Sequence, residues 1–308
     1  MGEEAPRVQP SKLVSPRGPS FMFIGAAKSG STWFAEILRE HPEVFLPPNR
    51  STYFFSGLYD MGLKWYEEFF PEANDGRVSG EVCHDYLISA EALARIREYR
   101  PGMRLVCCLR NPYERAISAW HFYARNGLDH PTLAEHSNPS PGVFDHGYYA
   151  THLEVLRRLF PPDQVLIFLF EEIGPAAESV ARRLYQFIGV DPKFVPPSLH
   201  VRVNGQSRPR SRFIANVVHT IHMKSWGRSR VTSNVIGRIK QIHPIRRLFT
   251  RALYKEERAS REVVDYFKEF PNEVIERYEW EISALERMLG RDLSSWRAPL
   301  DVRKSGTR

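Results

Sequence analysis

Apolar residues along this chain fall into two alternating patterns. The first is the short unbroken run. Phe21-Met22-Phe23-Ile24, Met103–Leu109 (polar only at Arg104) and Gln164–Phe170 have the length and composition of strands buried on both faces. Val44–Leu46 and Arg77–Val82 read as shorter strands. The second pattern has helical spacing. In Trp33–Glu40, Phe34, Ile37 and Leu38 share one face, and in Met61–Phe70 Leu63, Tyr66, Phe69 and Phe70 do. Ala90–Tyr99 follows a Ser89 cap; Tyr148–Phe160, Ala176–Ile188 and a pair over Glu262–Leu289, divided at Pro271, complete the helices. Strands alternating with helices predict an α/β fold with a central parallel sheet.

Punctuation between these elements is clear in places. Pro42, Pro71 with Asn74-Asp75-Gly76, and Pro101-Gly102 mark turns. Leu128–Gly147, rich in Pro, Ser, Asn and His, is a long loop suited to a lid or an acceptor-binding role. Residues 1–19 are expected to be a disordered leader, 20–298 one domain, and 299–308 a disordered tail. The basic stretch 213–260 is expected to be helical cover.

Composition narrows the picture. The chain has 308 residues, 42% hydrophobic, with a net charge of +7. Such charge suits an anionic ligand, a membrane surface or nucleic acid. No apolar run approaches the roughly 20 residues of a membrane span, and the first residues lack an apolar signal core, so a cytoplasmic location is expected. Cys83, Cys107 and Cys108 read as small core residues; two adjacent cysteines in one strand face opposite ways.

Candidate chemistry concentrates where the first strand meets the first helix. Gly25-Ala26-Ala27-Lys28-Ser29-Gly30-Ser31-Thr32 is a small-residue loop opening a helix. Backbone N–H groups and the helix dipole there favour an anion, and Lys28, Ser31 and Thr32 add donors. The spacing of Gly25 and Gly30 is that of a nucleotide P-loop, yet Ser31 stands where the usual lysine would be and Lys28 lies inside the loop. This pattern suits a 5′-phosphate better than a metal-bound β,γ-phosphate.

Lys28-Ser29-Gly30-Ser31-Thr32-Trp33 resembles the 5′-phosphosulfate loop of sulfotransferases that use 3′-phosphoadenosine 5′-phosphosulfate (PAPS), especially the bacterial and heparan-sulfate types. A second motif supports the resemblance. Leu109-Arg110-Asn111-Pro112, with Ser118 on the following helix, is similar to the family's 3′-phosphate motif. Asn111 can cap that helix, and Pro112 suits its first position. The resemblance implies a P-loop-type three-layer α/β/α fold like that of nucleotide kinases. It also implies cofactor contacts from Lys28, Ser29, Gly30, Ser31, Thr32, Trp33, Arg110 and Ser118. Arg208 and Arg210, in a basic loop, are further candidates for the 3′-phosphate and adenine.

The proton acceptor is less settled. Arg50-Ser51-Thr52-Tyr53-Phe54-Phe55 is similar to a family segment whose glutamate is a candidate base, but Ser51 occupies that position. Gly80, Glu81 and Tyr86 match a second family segment. Glu81, His84 and Asp85 fall at or just past a strand's carboxyl end, where open α/β sheets place their sites. Any of the three can take a proton, and histidine titrates nearest neutral pH.

The expected reaction is in-line transfer of a sulfuryl group from PAPS to a hydroxyl or amine, leaving adenosine 3′,5′-bisphosphate. Lys28 stabilises the leaving group, Glu81 or His84 accepts the proton, and no metal is required. Saccharides, lipids and other small metabolites remain open as acceptors, as does a peripheral membrane contact through 213–253. The rival readings are a P-loop nucleotide kinase, which needs a lysine after Gly30, and a basic nucleic-acid-binding relative. The second leaves both motifs unexplained, so no nucleic acid partner is expected.

Overall fold

The computed structural model describes residues 17–49, 51–70, 76–125, 133, 142–201, 207–209, 254–256 and 266–298. Five strands form a parallel sheet: β1 (Phe21–Gly25), β2 (Val44–Phe45), β3 (Val78–Val82), β4 (Arg104–Leu109) and β5 (Val165–Leu169). Their order is β2-β3-β1-β4-β5. The chain leaves β1 toward one edge and later crosses to the other side of it. The carboxyl end of β1 is therefore a switch point, where such sheets leave a crevice.

The helices are α1 (Ser31–Glu40), α2 (Phe54–Gly57), α3 (Gly62–Glu67), α4 (Ala90–Tyr99), α5 (Pro112–Arg125), α6 (Tyr149–Leu159), α7 (Ala177–Ile188) and α8 (Asn272–Leu289). They cover two faces, and each face has its own apolar core. One core joins Met22, Ile24, Leu105 and Cys107 to residues of α4, α5, α6 and α8. The other joins Phe21, Phe23, Val106 and Cys108 to α1 and α7. Cys107 and Cys108 thus point into opposite layers, as strand alternation demands, and burial pushes both thiols up. The three-layer architecture expected from the sequence is present.

Most elements lie within a residue or two of their expected limits. Ser89 caps α4 by accepting the Ala92 N–H at 3.1 Å, and Asn111 accepts the Tyr113 N–H at 3.0 Å at the start of α5. After Pro271, Asn272–Leu289 is helix α8 as expected; of the stretch before it only 266–270 is described, with a 3-10 turn at Phe267–Glu269. Two expectations change. Leu63 is exposed, and α3, which ends at Glu67, buries Tyr66. Within the stretch expected as helical cover, Tyr254–Glu256 is strand β7, paired antiparallel with β6 (Ser207–Pro209). The remainder of 213–260, Arg50, Arg210, most of the 128–147 loop, the first residues of the leader and the tail lie outside the described residues. No helix among the described residues is long and apolar enough to cross a membrane.

Candidate active site

The loop after β1 is shaped by glycine. Gly30 is the N-cap of α1 with φ 88°, a left-handed conformation that L side chains rarely adopt. A Cβ there would come within 2.8 Å of Ile173 Cδ1. Gly25 is packed as tightly: a Cβ would meet Leu87 Cβ at 2.9 Å and the His84 carbonyl at 3.1 Å. The loop is thereby pressed against the segment that follows β3. No side chain caps α1. Its first-turn N–H groups, at Ser31 and Thr32, are of the kind that can bind an anion at a helix N-terminus. Ser29 is fully buried, and its Oγ, beside Tyr149, finds no partner with hydrogen-bonding geometry among the described residues. Lys28 adopts φ 66° and places Nζ 4.3 Å from the centre of the Phe122 ring on α5.

Arg110 reaches the same loop from the end of β4. Its Nη1 lies 3.5 Å from the Lys28 carbonyl, and its guanidinium sits over the Phe170 ring at 4.7 Å. Nε and Nη2 both donate to Glu114 Oε2, at 3.2 and 2.8 Å. Its backbone carbonyl accepts the Tyr149 hydroxyl at 2.9 Å. The two sequence motifs, far apart in the chain, are in contact. Ser118 is half-buried on α5. Arg208 is placed only by its backbone, opposite Lys255 in the β6–β7 ladder.

Past the end of β3, His84 Nε2 and Asp85 Oδ1 are 3.3 Å apart, and both side chains are partly open to solvent. The Tyr53 ring stands edge-on to His84 at 5.9 Å. Burial raises Asp85 to about 6. A histidine paired with a carboxylate beside an anion cradle can act as an oriented general base.

Glu81 is different in kind. Its side chain is wholly buried. Oε1 accepts the Thr52 N–H at 2.7 Å, the Thr52 hydroxyl at 2.7 Å and the Tyr86 hydroxyl at 3.0 Å; Oε2 accepts the Tyr66 hydroxyl at 2.7 Å. Burial raises its pKa against the pull of these bonds, and it raises Tyr66 and Tyr86 as well. The carboxylate is spent on four donors, so it anchors the Thr52–Tyr53 corner that faces His84 rather than standing open to an acceptor. Replacing it with Gln sets amide protons against hydroxyl donors in a sealed pocket. Glu81→Gln is expected to lower stability by about 2 kcal/mol, read from denaturant melts. Ser51 is also committed: its Oγ donates to the Val82 carbonyl at 2.6 Å.

Trp33 donates its indole N–H to the Leu199 carbonyl at 3.0 Å and packs edge-on to Phe34. It ties the chain after α7 to α1. The anchoring roles of Thr52 and Tyr66 carry no sequence signal. The Arg110–Glu114 pair does, in its i,i+4 spacing.

A family model for the sulfotransferase domain matches residues 19–205. This chain belongs to the sulfotransferase domain family. Similar curated sulfotransferases include the heparan sulfate glucosamine 3-O-sulfotransferase 3A1 of Mus musculus, 30% identical over 61% of this chain and 52% of the relative. The 3B1 enzyme of Homo sapiens is 33% identical over 56% of this chain and 46% of its own length. The chain thus spans about half the length of the curated relatives it matches. Among solved structures, a sulfotransferase from Alicyclobacillus acidocaldarius shares the fold, with a TM-score of 0.61 and 21% identity, covering 91% of this chain and 98% of that one. Among the described residues, no group of three or more His, Cys, Asp or Glu side chains converges as a metal site would.

Proposed function

We propose that this protein transfers a sulfuryl group from PAPS to a hydroxyl or amine of an acceptor. One observation carries the reading. Arg110 meets the loop that opens the uncapped N-terminus of α1, so donors for a 5′-phosphate and a 3′-phosphate lie side by side. Two details support the reading: Gly30 lets the loop pack directly against Ile173 and Phe170, and the buried Ser29 hydroxyl has no hydrogen-bond partner among the described residues.

When bound, PAPS supplies the sulfuryl group and a bisphosphate that leaves. The first-turn amides of α1 hold the 5′-phosphate, with Ser31 and Thr32 adding hydroxyls. Lys28 neutralises charge on the departing oxygen. Arg110, with Ser118 further along α5, grips the 3′-phosphate. His84, oriented by Asp85, removes the acceptor's proton. Glu81 and Tyr53 keep that histidine in position. The names of the curated relatives make a glucosamine-containing saccharide the first acceptor to test.

Calorimetry tests the donor half directly. Adenosine 3′,5′-bisphosphate is expected to bind without magnesium, about thirtyfold more weakly in Arg110→Ala, as loss of a charge-assisted pair implies. A preference for ATP with magnesium overturns the reading in favour of a kinase. Failure to bind any of these nucleotides overturns it altogether.

A further inference from the structure

Arg110 is held on three sides, and the three holds are not equivalent. The Phe170 face lies under the guanidinium, and the Lys28 carbonyl approaches Nη1. Both belong to packed parts of the fold and would remain if the third were lost. The third, Glu114, covers the Nε–Nη2 edge with a single oxygen. Its side chain is 36% exposed against 20% for Arg110, so Glu114 is the partner with room to swing away. The nearby Glu171 is not available for such movement, because its Oε1 accepts the Asn111 N–H at 3.2 Å.

A second consideration is charge. The fork that best matches a phosphate is the one Glu114 occupies. A phosphate dianion cannot approach the same edge without repulsion from a carboxylate already there. A half-open ion pair held by one carboxylate oxygen is readily exchanged for a stronger pairing.

We propose that Glu114 is a counter-ion latch on Arg110, displaced when a 3′-phosphate binds, and that it sets how strongly the site favours 3′-phosphorylated nucleotides. The proposal rests on the reading of Arg110 as the 3′-phosphate ligand. Glu114 acts through Arg110 and is a positioning residue.

The test is calorimetric titration of the parent, Glu114→Gln, Arg110→Ala and the double variant with adenosine 3′,5′-bisphosphate and, separately, with AMP. Thermal melts confirm that each variant is folded. Glu114→Gln is expected to bind the bisphosphate about fivefold tighter, the order of a solvent-accessible ion pair, with AMP unchanged. The gain is expected to vanish when Arg110 is Ala. Because AMP lacks only the 3′-phosphate, a general change in the loop or the fold would move both ligands equally, and that result overturns the latch. Weaker or unchanged bisphosphate binding in Glu114→Gln also overturns it, and shows that the carboxylate orients Arg110 for its ligand. If the parent does not distinguish the bisphosphate from AMP, the reading of Arg110 itself falls, and the latch with it.

Discussion

Lys28→Met is expected to lower PAPS-dependent turnover by about 100- to 1000-fold while leaving adenosine 3′,5′-bisphosphate binding within a few fold of the parent. The asymmetry follows from where charge appears. On the proposed reading, backbone amides of α1, which the substitution does not touch, hold the 5′-phosphate in the ground state. In the transition state negative charge would grow on the bridging oxygen, where a preorganised cation contributes to the rate rather than the affinity. Lys28 is preorganised by its left-handed backbone, at φ 66°, and by the Phe122 ring under its ammonium. Methionine keeps the length and apolar contact of the stem and removes the charge. Steady-state kinetics paired with calorimetry separates the two effects. Equal losses in turnover and bisphosphate affinity would show that Lys28 binds the ground state instead, and unchanged turnover would remove it from the mechanism.

His84→Asn is expected to cost about 100-fold in turnover, within the range for removal of a general base. Asp85→Asn is expected to cost less and to change the pH profile. Burial raises Asp85 to about 6, so below that pH the carboxyl is protonated and loses its hold on His84. Turnover in the parent is therefore expected to rise with pH through about 6, and in Asp85→Asn the part of that limb owed to the carboxyl is expected to be lost, leaving only the limb of the base itself. The stability effect has the opposite sense. A carboxyl whose folded pKa lies above its ordinary value of 3.8 favours folding while protonated, and that contribution is lost as pH rises through about 6. Asp85→Asn is thus expected to melt higher than the parent at pH 7, with no such advantage near pH 4. A full rate in His84→Asn would move the base elsewhere.

The geometry of the loop after β1 was legible because it is local. A strand, a small-residue loop and a helix in succession place Lys28, Ser31 and Thr32 at a helix N-terminus wherever the unit sits, since helix termini carry their donors with them. The Asn111 cap and the start of α5 are local in the same way. Periodicity likewise located the strands and the opposed faces of Cys107 and Cys108.

What depended on tertiary structure is the environment of each candidate proton acceptor. Glu81, His84 and Asp85 are neighbours in the chain, and each is chemically able to accept a proton. Their surroundings part only when the chain folds around them. Thr52, Tyr66 and Tyr86 close around Glu81 and use its lone pairs, whereas Asp85 stays partly open beside His84. The same holds for β7, where chain pairing across a long separation placed a strand in a stretch read as helix. Local pattern determined where the glycine loop and its helix N-terminus lie. Tertiary burial and hydrogen-bond satisfaction decided which acid is sealed among donors and which stays partly open beside a histidine, because desolvation depends on everything packed around a group and not on its neighbours in sequence.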